Sequence, residues 1–373
     1  MSSSGLLIDA AELRLVRLPL LTPFVISTGT MTEKVFPLLV LKSGGLEGIS
    51  EGVMDVLPDY LEETVAGTLD FMTTYLLPQV VGKRFASPAD LEPVLAPWRG
   101  NRMARAAVEM AFWDLWAKSL DQPLQAVLGG RGDAIDVGVS LGIASIETTL
   151  ERVAASVEAG YKRVKLKIRQ GHDVEMVAAV RAAFPHAKLT VDANTDYGLV
   201  DLPVLRALDD FNLDYIEQPL AFDDIHDHAQ VQAALKTAIC LDESIRTAVD
   251  ARKALESRAG RVINIKVGRV GGHREARAIH DVSAAFGAPV WCGGMLEAGI
   301  GRAHNIHLAT LPNFTKPGDT SSASRYFARD IVNEPLEAVG GRMPVPRNGA
   351  GIGVTLDRPY LETVSTLVQE MRP

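Results

Sequence analysis

Short apolar runs alternate with helix-like stretches through the middle of the chain. Six runs have the composition of β-strands and can be aligned: RVKLKI (163–168), KLTVDAN (188–194), LDYIEQP (213–219), AICLDES (238–244), VINIKVG (262–268) and APVWCGG (288–294). The stretches between them, such as DVEMVAAVRAAF (173–184) and DARKALESRAG (250–260), have the spacing of helices. Repeated units of one strand and one helix are typical of a parallel α/β sheet.

Charged residues recur near the ends of these predicted strands. The intervals between successive members are 25, 25, 25 and 24 residues for Lys167, Asp192, Glu217, Asp242 and Lys266. Such units also build open doubly wound sheets, but an unbroken succession of them favours closure into a (β/α) barrel. In that barrel the catalytic residues lie at the C-terminal ends of the strands, where these charges are expected.

The N-terminal part of the chain has a different pattern. It contains strand-like runs such as FPLLVLKS (36–43), a predicted helix around 59–77 and a strong helical pattern over 101–120, with Asn101 as the expected N-cap. We therefore predict a separate α+β domain over residues 1–130.

The barrel is predicted to span residues 131–325. The run AIDVGVSLG (134–142) supplies its first strand and places Ser140 at a position similar to the later charges. The remaining segment, 326–373, is rich in Pro and Gly and ends in a predicted helix over 357–371. We expect this segment to pack back onto the first domain.

Composition narrows the class of protein. The chain has 373 residues, of which 47% are hydrophobic and 23% charged, and its net charge of −8 comes without a basic block. These features argue against binding to nucleic acid or to an anionic membrane. No signal peptide or membrane span is recognisable, and two cysteines, Cys240 and Cys292, do not form a disulfide framework. A cytoplasmic location is predicted.

Three of the recurring residues are acids on consecutive strands. In a barrel Asp192, Glu217 and Asp242 would stand side by side, and their mutual repulsion requires neutralisation. A hard divalent cation with oxygen ligands meets that requirement, which favours Mg²⁺, with Mn²⁺ as a second candidate. The alternative is that each acid caps a helix or pairs with a lysine, but three at matched intervals favour the metal.

The flanking lysines complete this chemistry. Lys167 precedes the acids by one strand and Lys266 follows them by one, so the two would approach a bound ligand from opposite sides. A nearby cation lowers the proton affinity of a lysine. Because Lys165 shares a strand face with Lys167, its charge is expected to act on Lys167 in the same direction. Two opposed bases beside a metal suit removal of the proton α to a substrate carboxylate, through a metal-stabilised enediolate. Return of a proton to the other face racemises the centre, whereas loss of a β-leaving group gives an alkene.

The motifs that carry these residues resemble those of the enolase superfamily. Within it, they are similar to the N-acylamino acid racemase/o-succinylbenzoate synthase group. The similarity extends over nearly the whole chain, and its motifs are KLK (165–167), VDAN (191–194), IEQP (216–219), LDES (241–244), NIKVGRVGG (264–272), WCGGMLEAGIGRA (291–303), PGDTSSASRYF (317–327) and RGNRMARAAVEMAFWDLWAK (99–118).

The resemblance implies an enolase-like α/β fold, with an N-terminal α+β capping domain and a modified TIM barrel of the (β/α)₇β type. It also implies Mg²⁺ held by the three acids, Lys167 and Lys266 as the two acid/base catalysts, and a homo-oligomer, either a dimer or an octamer. Dipeptide epimerases of the superfamily carry an Asp-x-Asp motif where this chain has Asp319 followed by Thr320 and Ser321, which argues against that branch. Muconate cycloisomerases share the lysines and acids but match the other motifs less well.

Several further residues are expected to lie near the predicted site, on weaker grounds. The two-residue spacing of a strand places Asn194 on the same face as the predicted metal ligand Asp192. It also places Asn264 on the same face as the predicted catalytic Lys266, and Glu243 directly follows Asp242. From the resemblance, one group is expected near the acyl arm of the substrate, namely Ser140, Gly293, Gly294 and Met295. A second group is expected where the capping domain closes over the site, namely Phe24, Met54 and Tyr60. As sequence alone, this second group has the character of ordinary core or surface residues.

The sequence is compatible with two reactions and with one non-catalytic role. The favoured hypothesis is racemisation of N-acylamino acids, most simply N-succinylamino acids, by two-base 1,1-proton transfer. The alternative is o-succinylbenzoate synthase, a syn-dehydration in menaquinone biosynthesis of a succinyl-bearing cyclohexadiene carboxylate, and one protein can do both. A non-catalytic metal-binding barrel is disfavoured because neither the lysines nor the acids are missing. In each enzymatic case the partner is a small carboxylate substrate.

Overall fold

A computed structural model describes residues 5–26 and 29–373. The N-terminal part contains strands β1 (Leu6–Leu7), β2 (Ala10–Ile26), β3 (Gly29–Ser43), β4 (Leu46–Glu51) and β5 (Arg84–Phe85), and helices α1 (Val65–Phe71), α2 (Leu77–Val80), α3 (Pro88–Leu95), α4 (Arg102–Ser119) and α5 (Leu124–Leu128). A π-helical turn, Met72–Leu76, joins α1 to α2. Among the described residues, no helix is both long and apolar enough to cross a lipid bilayer.

Alternating strands and helices follow. They are β6 (Ala134–Asp136), β7 (Val139–Leu141), α6 (Ile146–Glu158), β8 (Val164–Lys167), α7 (Val174–Ala183), β9 (Leu189–Asp192), α8 (Leu202–Leu208), β10 (Ile216–Glu217), α9 (His226–Ala234), β11 (Ile239–Leu241), α10 (Ala248–Glu256), β12 (Val262–Ile265), α11 (Val267–Val270), α12 (His273–Ala285), β13 (Val290–Cys292) and α13 (Gly299–Leu308). The chain ends with β14 (Arg342–Pro344), α14 (Arg358–Val364) and β15 (Ser365–Met371).

Strands β7 to β13 form one parallel sheet in chain order. An extended segment, 313–319, completes the ring. On one side Val290 N donates to Asn313 O (3.1 Å), and on the other Gly138 N donates to Gly318 O (2.8 Å). Seven strand–helix units and a closing segment make a (β/α)₇β barrel. The repeated pattern predicted a barrel, and the resemblance implied this type.

The capping domain is built on a four-stranded antiparallel sheet with the order β15-β2-β3-β4. Helix α4 packs against β3 and β4 and also touches α11 and α12 of the barrel. Its Glu109 accepts hydrogen bonds from the backbone N–H groups of His273 (2.8 Å) and Arg274 (2.9 Å). The carboxylate therefore caps the N-terminus of α12, which joins the two parts of the molecule directly.

The start of one predicted helix and the extent of one predicted strand were wrong. The helix expected around 59–77 begins at Val65, because the side chain of Thr64 accepts from Gly67 N (3.2 Å) and ends the preceding loop. The run 134–142 divides in two. Its first part, β6, pairs antiparallel with β14, and only β7 belongs to the barrel.

The N-cap of α4 lies at Asn101, as expected, but another residue supplies the capping acceptor. Asn101 has a φ of 43° and makes no capping hydrogen bond with its side chain. The carboxylate of Glu63 accepts instead from Met103 N (3.0 Å) and Ala104 N (3.2 Å). A distant residue thus satisfies the donors that local capping would have satisfied.

The final helix predicted over 357–371 ends at Val364. The last residues form β15, whose backbone pairs with β2, including Thr366 with Leu15 and Met371 with Ala11. Pairing with the edge of an existing sheet outweighs a local helical preference. The C-terminal end therefore lies on the N-terminal sheet, while the domain boundaries proposed at 130/131 and 325/326 remain predictions.

Helix α13 is held in part by a buried histidine, which makes the stability of the fold pH-dependent. Gln125 N donates to His307 Nδ1 (3.0 Å), so the ring is neutral with its proton on Nε2, which donates to Ile352 O (3.0 Å). Burial lowers the pKa of His307 to about 4, below the ordinary value of 6.5. The unfolded chain therefore binds the proton more readily between these two values, and stability falls as the pH drops through that window.

We expect a His307→Gln variant to lose this contribution. As the pH drops from 6.5 to 4, the free energy of unfolding of the parent should fall more steeply than that of the variant. The difference between the two slopes should be about 1.4 kcal/mol per pH unit. Urea unfolding at several pH values measures the two slopes. Equal slopes would show that His307 is not the group that titrates.

Candidate active site

The C-terminal ends of the barrel strands bring the recurring charges together. Lys167 lies beside Asp192 in the register of β8 and β9, and Asp192 lies beside Glu217 in β9 and β10. Asp242 follows directly after β11, and Lys266 follows directly after β12. All five side chains are buried. The 25-residue interval therefore reflects one position repeated around the barrel rim.

Lys165 is the centre of an ion-pair network. Its Nζ lies 3.0 Å from Asp192 Oδ2, 3.0 Å from Glu217 Oε2 and 2.8 Å from Asp319 Oδ2. The ammonium also sits 4.8 Å from the centre of the Trp291 ring. Burial disfavours the charged form, but the three carboxylates outweigh it and raise the pKa of Lys165 well above its usual range. Lys165 is a permanent cation here.

Lys167 has the opposite character. Its Nζ donates to Asp192 Oδ2 (2.7 Å) and Asn194 Oδ1 (2.5 Å). Burial lowers the pKa of Lys167, and the charge of Lys165 lowers it further, against the opposing effect of Asp192. The direction agrees with the like-charge interpretation of the Lys-x-Lys pair, with burial as the larger cause. A lysine in this position is more readily neutral and therefore able to accept a proton.

Lys266 approaches from the other side of the acids. Its Nζ is 2.7 Å from Asp242 Oδ2 and donates to the hydroxyl of Tyr60 (2.8 Å), a residue of the capping domain. The guanidinium of Arg269 contacts the same aspartate. Gly293 passes so close that a Cβ there would lie 2.4 Å from Asn264 Oδ1 and 2.8 Å from Lys266 Cε, so any larger residue would displace the side chains next to it.

Amide side chains hold the acids in place. Asn264 Nδ2 donates to Glu217 Oε1 (2.9 Å), and Asn194 Nδ2 donates to Glu243 Oε1 (3.2 Å). Both asparagines and Glu243 are buried. These three residues of the predicted set thus lie next to the central charges and orient them.

A cavity of about 390 Å³ extends from the lysines to the capping domain. Nine residues of the predicted set line it: Phe24, Tyr60, Ser140, Lys165, Lys167, Asn194, Lys266, Gly294 and Met295. Met54 does not. It is fully buried in an apolar cluster behind Met295, together with Val53 and Leu61. The structure gives Met54 the role of an ordinary core residue.

Comparison with known proteins places the chain in a family. Residues 148–360 match the family model described as enolase C-terminal domain-like, and residues 10–129 match the N-terminal domain of mandelate racemase/muconate lactonizing enzyme. The chain belongs to the enolase superfamily. It is 56% identical over 359 residues to N-succinylamino acid racemase of Thermus thermophilus, covering 96% of this chain and 97% of that protein.

Two further members of the enolase superfamily are also similar. The chain is 48% identical over 357 residues to o-succinylbenzoate synthase of Geobacillus kaustophilus, covering 95% of each protein. The crystal structure of an enolase superfamily member from Listeria innocua superposes with a TM-score of 0.95 at 41% identity, over 98% of this chain and 99% of that one. The resemblance inferred from the motifs is confirmed at the level of family and fold.

A divalent cation is typical of the enolase superfamily, and the strand-end carboxylates of this chain are the residues that could hold one. Within the described residues, no three His, Cys, Asp or Glu side chains are grouped as around a bound metal. The strand-end carboxylates are turned instead toward Lys165, Lys167 and Lys266. Burial raises the pKa of Glu217, and repulsion from Asp192 raises it further. Adjacent buried carboxylates that repel one another are a donor set that fits a hard divalent cation.

Several residues that contact these lysines or line the cavity were not predicted to take part. Asp319 was considered only as part of a motif, yet it pairs with Arg163 (2.8 Å) as well as Lys165. Trp291 covers the same lysine, and Arg302 lines the cavity. The motifs around positions 291–303 and 317–327 contained these residues, but nothing in their spacing shows which side chains point inward.

Proposed function

We propose that this protein is a Mg²⁺-dependent racemase of N-acylamino acids, with N-succinylamino acids as the best substrates. The observation that carries the proposal is the pair of lysines on opposite sides of the strand-end acids, both lining one cavity. The similarity to N-succinylamino acid racemase of Thermus thermophilus supports the choice of substrate.

Two lysines allow proton transfer in both directions. Lys167, whose pKa is lowered by burial and by Lys165, accepts the α-proton from one enantiomer. Lys266, held by Asp242 and Tyr60, donates a proton to the opposite face. For the other enantiomer the two exchange roles. The capping domain supplies part of the cavity wall through Phe24 and Tyr60, so a bound substrate would displace water from the space beside the two bases.

The acids would hold the metal. Asp192, Glu217 and Asp242 would bind Mg²⁺, with Mn²⁺ as a substitute, and the bound ion supplies a Lewis acid that stabilises negative charge on the substrate carboxylate. Lys165 keeps its charge beside Asp192 and Glu217 and compensates the carboxylates in the absence of substrate. A homo-oligomeric state, as a dimer or an octamer, and a cytoplasmic location remain part of the proposal.

A second candidate reaction is o-succinylbenzoate synthesis. The specific observation that favours it is 48% identity, over 95% of the chain, to a protein of that name from Geobacillus kaustophilus. Lys167 would then remove the proton and Lys266 would remain a cation beside the developing charge. Both reactions begin with the same proton transfer, and the same residues serve both.

Parallel assays separate the two reactions. Purified protein with Mg²⁺ is given N-succinyl-L-phenylglycine, followed by optical rotation, and the succinyl-bearing hydroxycyclohexadiene carboxylate, followed by ultraviolet absorbance as the ring becomes aromatic. Excess EDTA should abolish activity and added Mg²⁺ should restore it. Decay of rotation supports the racemase, and turnover of the diene alone would replace it with the synthase.

A further inference from the structure

Arg302 is a buried arginine of the cavity wall for which the proposed reaction has no use. It lies in the first turns of α13 and is only 3% exposed. It lines the same cavity as Lys167 and Lys266. The segment that leads to it starts at Gly293, beside Lys266, so Arg302 and the lysines belong to one continuous wall of the cavity.

The guanidinium is held rigidly by its surroundings. Nε donates to the backbone oxygen of Glu297 (2.8 Å), and Nη1 donates to the backbone oxygen of Ser321 (2.6 Å). The ring of Tyr326 lies 4.9 Å from the guanidinium carbon. Nη2 has no hydrogen-bond partner within residues 5–26 and 29–373. The two N–H groups of Nη2 are therefore held in place without an acceptor among these residues.

Arg302 also makes no ion pair with a carboxylate of the described residues, although its positive charge acts to lower the pKa of Asp330. The described part of the chain has eight buried lysines and arginines: Arg14, Lys34, Arg163, Lys165, Lys167, Lys266, Arg269 and Arg302. Each of the first seven has a carboxylate within 4.0 Å, and for Arg302 the described residues provide none. A buried charge is unfavourable unless it is paired. An anion bound in this cavity would supply the ion pair that the described residues do not make.

We infer that Arg302 binds the distal carboxylate of the substrate's acyl arm. The inference rests on the proposed function, in which the substrate carries two carboxylates. The α-carboxylate belongs at the lysine end, where the three lysines of the cavity already have acids beside them. Arg302 is the remaining cation of the wall. The distal carboxylate of a dicarboxylic acyl group would pair with it, whereas a neutral acyl group would leave it unpaired. Arg302 therefore selects N-succinyl over neutral N-acyl substrates.

Calorimetric binding of two achiral ligands tests this inference. N-succinylglycine and its distal amide, N-succinamoylglycine, differ in one charge, and racemisation changes neither. With Mg²⁺ present, we expect the parent to bind the succinyl ligand at least about tenfold more tightly, as for a charge-assisted hydrogen bond. In Arg302→Gln the ratio should fall below about twofold, with the amide's affinity little changed.

Controls separate recognition from support of the cavity wall. Arg14→Gln removes another buried arginine, in the capping sheet, and should keep the parent's ratio. Arg302→Lys retains the charge and should keep a ratio of at least about threefold, which provides a second test if the glutamine variant does not fold. Equal weakening of both ligands in Arg302→Gln, or a parent ratio near one, would overturn the inference.

The binding ratio and the reaction are independent readouts. A parent that binds with the expected ratio but does not racemise would contradict the proposed function and leave the role of Arg302 standing. Racemisation of N-succinyl and N-succinamoyl substrates with equal kcat/KM would support the proposed function and contradict the role of Arg302.

Discussion

Replacement of Lys167 or Lys266 by alanine is expected to lower the racemisation rate by about 10³-fold, the contribution of a well-placed general acid or base. The two variants should differ in what they retain. Each keeps one lysine, which still removes the α-proton from the enantiomer whose proton faces it. Each variant should therefore exchange the α-proton of one enantiomer with solvent D₂O while leaving its configuration unchanged, and the preferred enantiomer should be opposite in the two.

Lys162→Ala is the matched control, because Lys162 is exposed and precedes β8 at the end of the strand away from the site. It should retain the parent's rate with both enantiomers. Proton NMR of each enantiomer in D₂O with each variant gives the four exchange rates. Exchange of both enantiomers by either alanine variant at the parent's rate would contradict the assignment of one lysine to each face.

Replacement of Glu217 by glutamine is expected to remove the response of the protein to Mg²⁺. A ligand at 100 times its dissociation constant stabilises the folded state by about 2.7 kcal/mol. We expect a shift of that order for the parent and less than about 1 kcal/mol for Glu217→Gln, with racemisation reduced by about 10³-fold. Thermal or urea unfolding with and without Mg²⁺ measures the shift independently of activity.

Glu12→Gln provides a control for the loss of a buried, ion-paired carboxylate elsewhere. Glu12 lies in the capping sheet, where it pairs with Arg14, Lys42 and Arg358. This variant should be less stable than the parent but should keep its full response to Mg²⁺. An undiminished Mg²⁺ shift in Glu217→Gln would exclude Glu217 as a metal ligand.

The central charges were predictable because barrel geometry is regular. A parallel strand repeated every 25 residues brings the same strand position to the same rim, so the spacing alone placed Asp192, Glu217 and Asp242 next to one another. The alternation of side chains likewise placed Lys165 and Lys167 on one face. These relations depend only on local periodicity and on the order of the strands.

Contacts between distant segments were not predictable in this way. Asp319 reaches Lys165 across 154 positions of sequence because the closing segment 313–319 hydrogen-bonds to β13. Residues 365–371 form a strand because β2 offers an edge, and the carboxylate of Glu63, rather than the side chain of Asn101, accepts from the first N–H groups of α4. In each case the deciding partner lies far away in the chain, and a single sequence does not show which segments meet.

The central claim is that Lys167 and Lys266 transfer the α-proton of an N-succinylamino acid. Proton NMR of the protein with Mg²⁺ and N-succinyl-L-phenylglycine in D₂O, with optical rotation of the same sample, tests it most directly. We expect the α-proton signal to disappear while the rotation decays to zero. If the α-proton signal and the rotation both persist, in folded protein with Mg²⁺ present, the racemase would be contradicted for this substrate. The dehydration to o-succinylbenzoate would then be the favoured reaction.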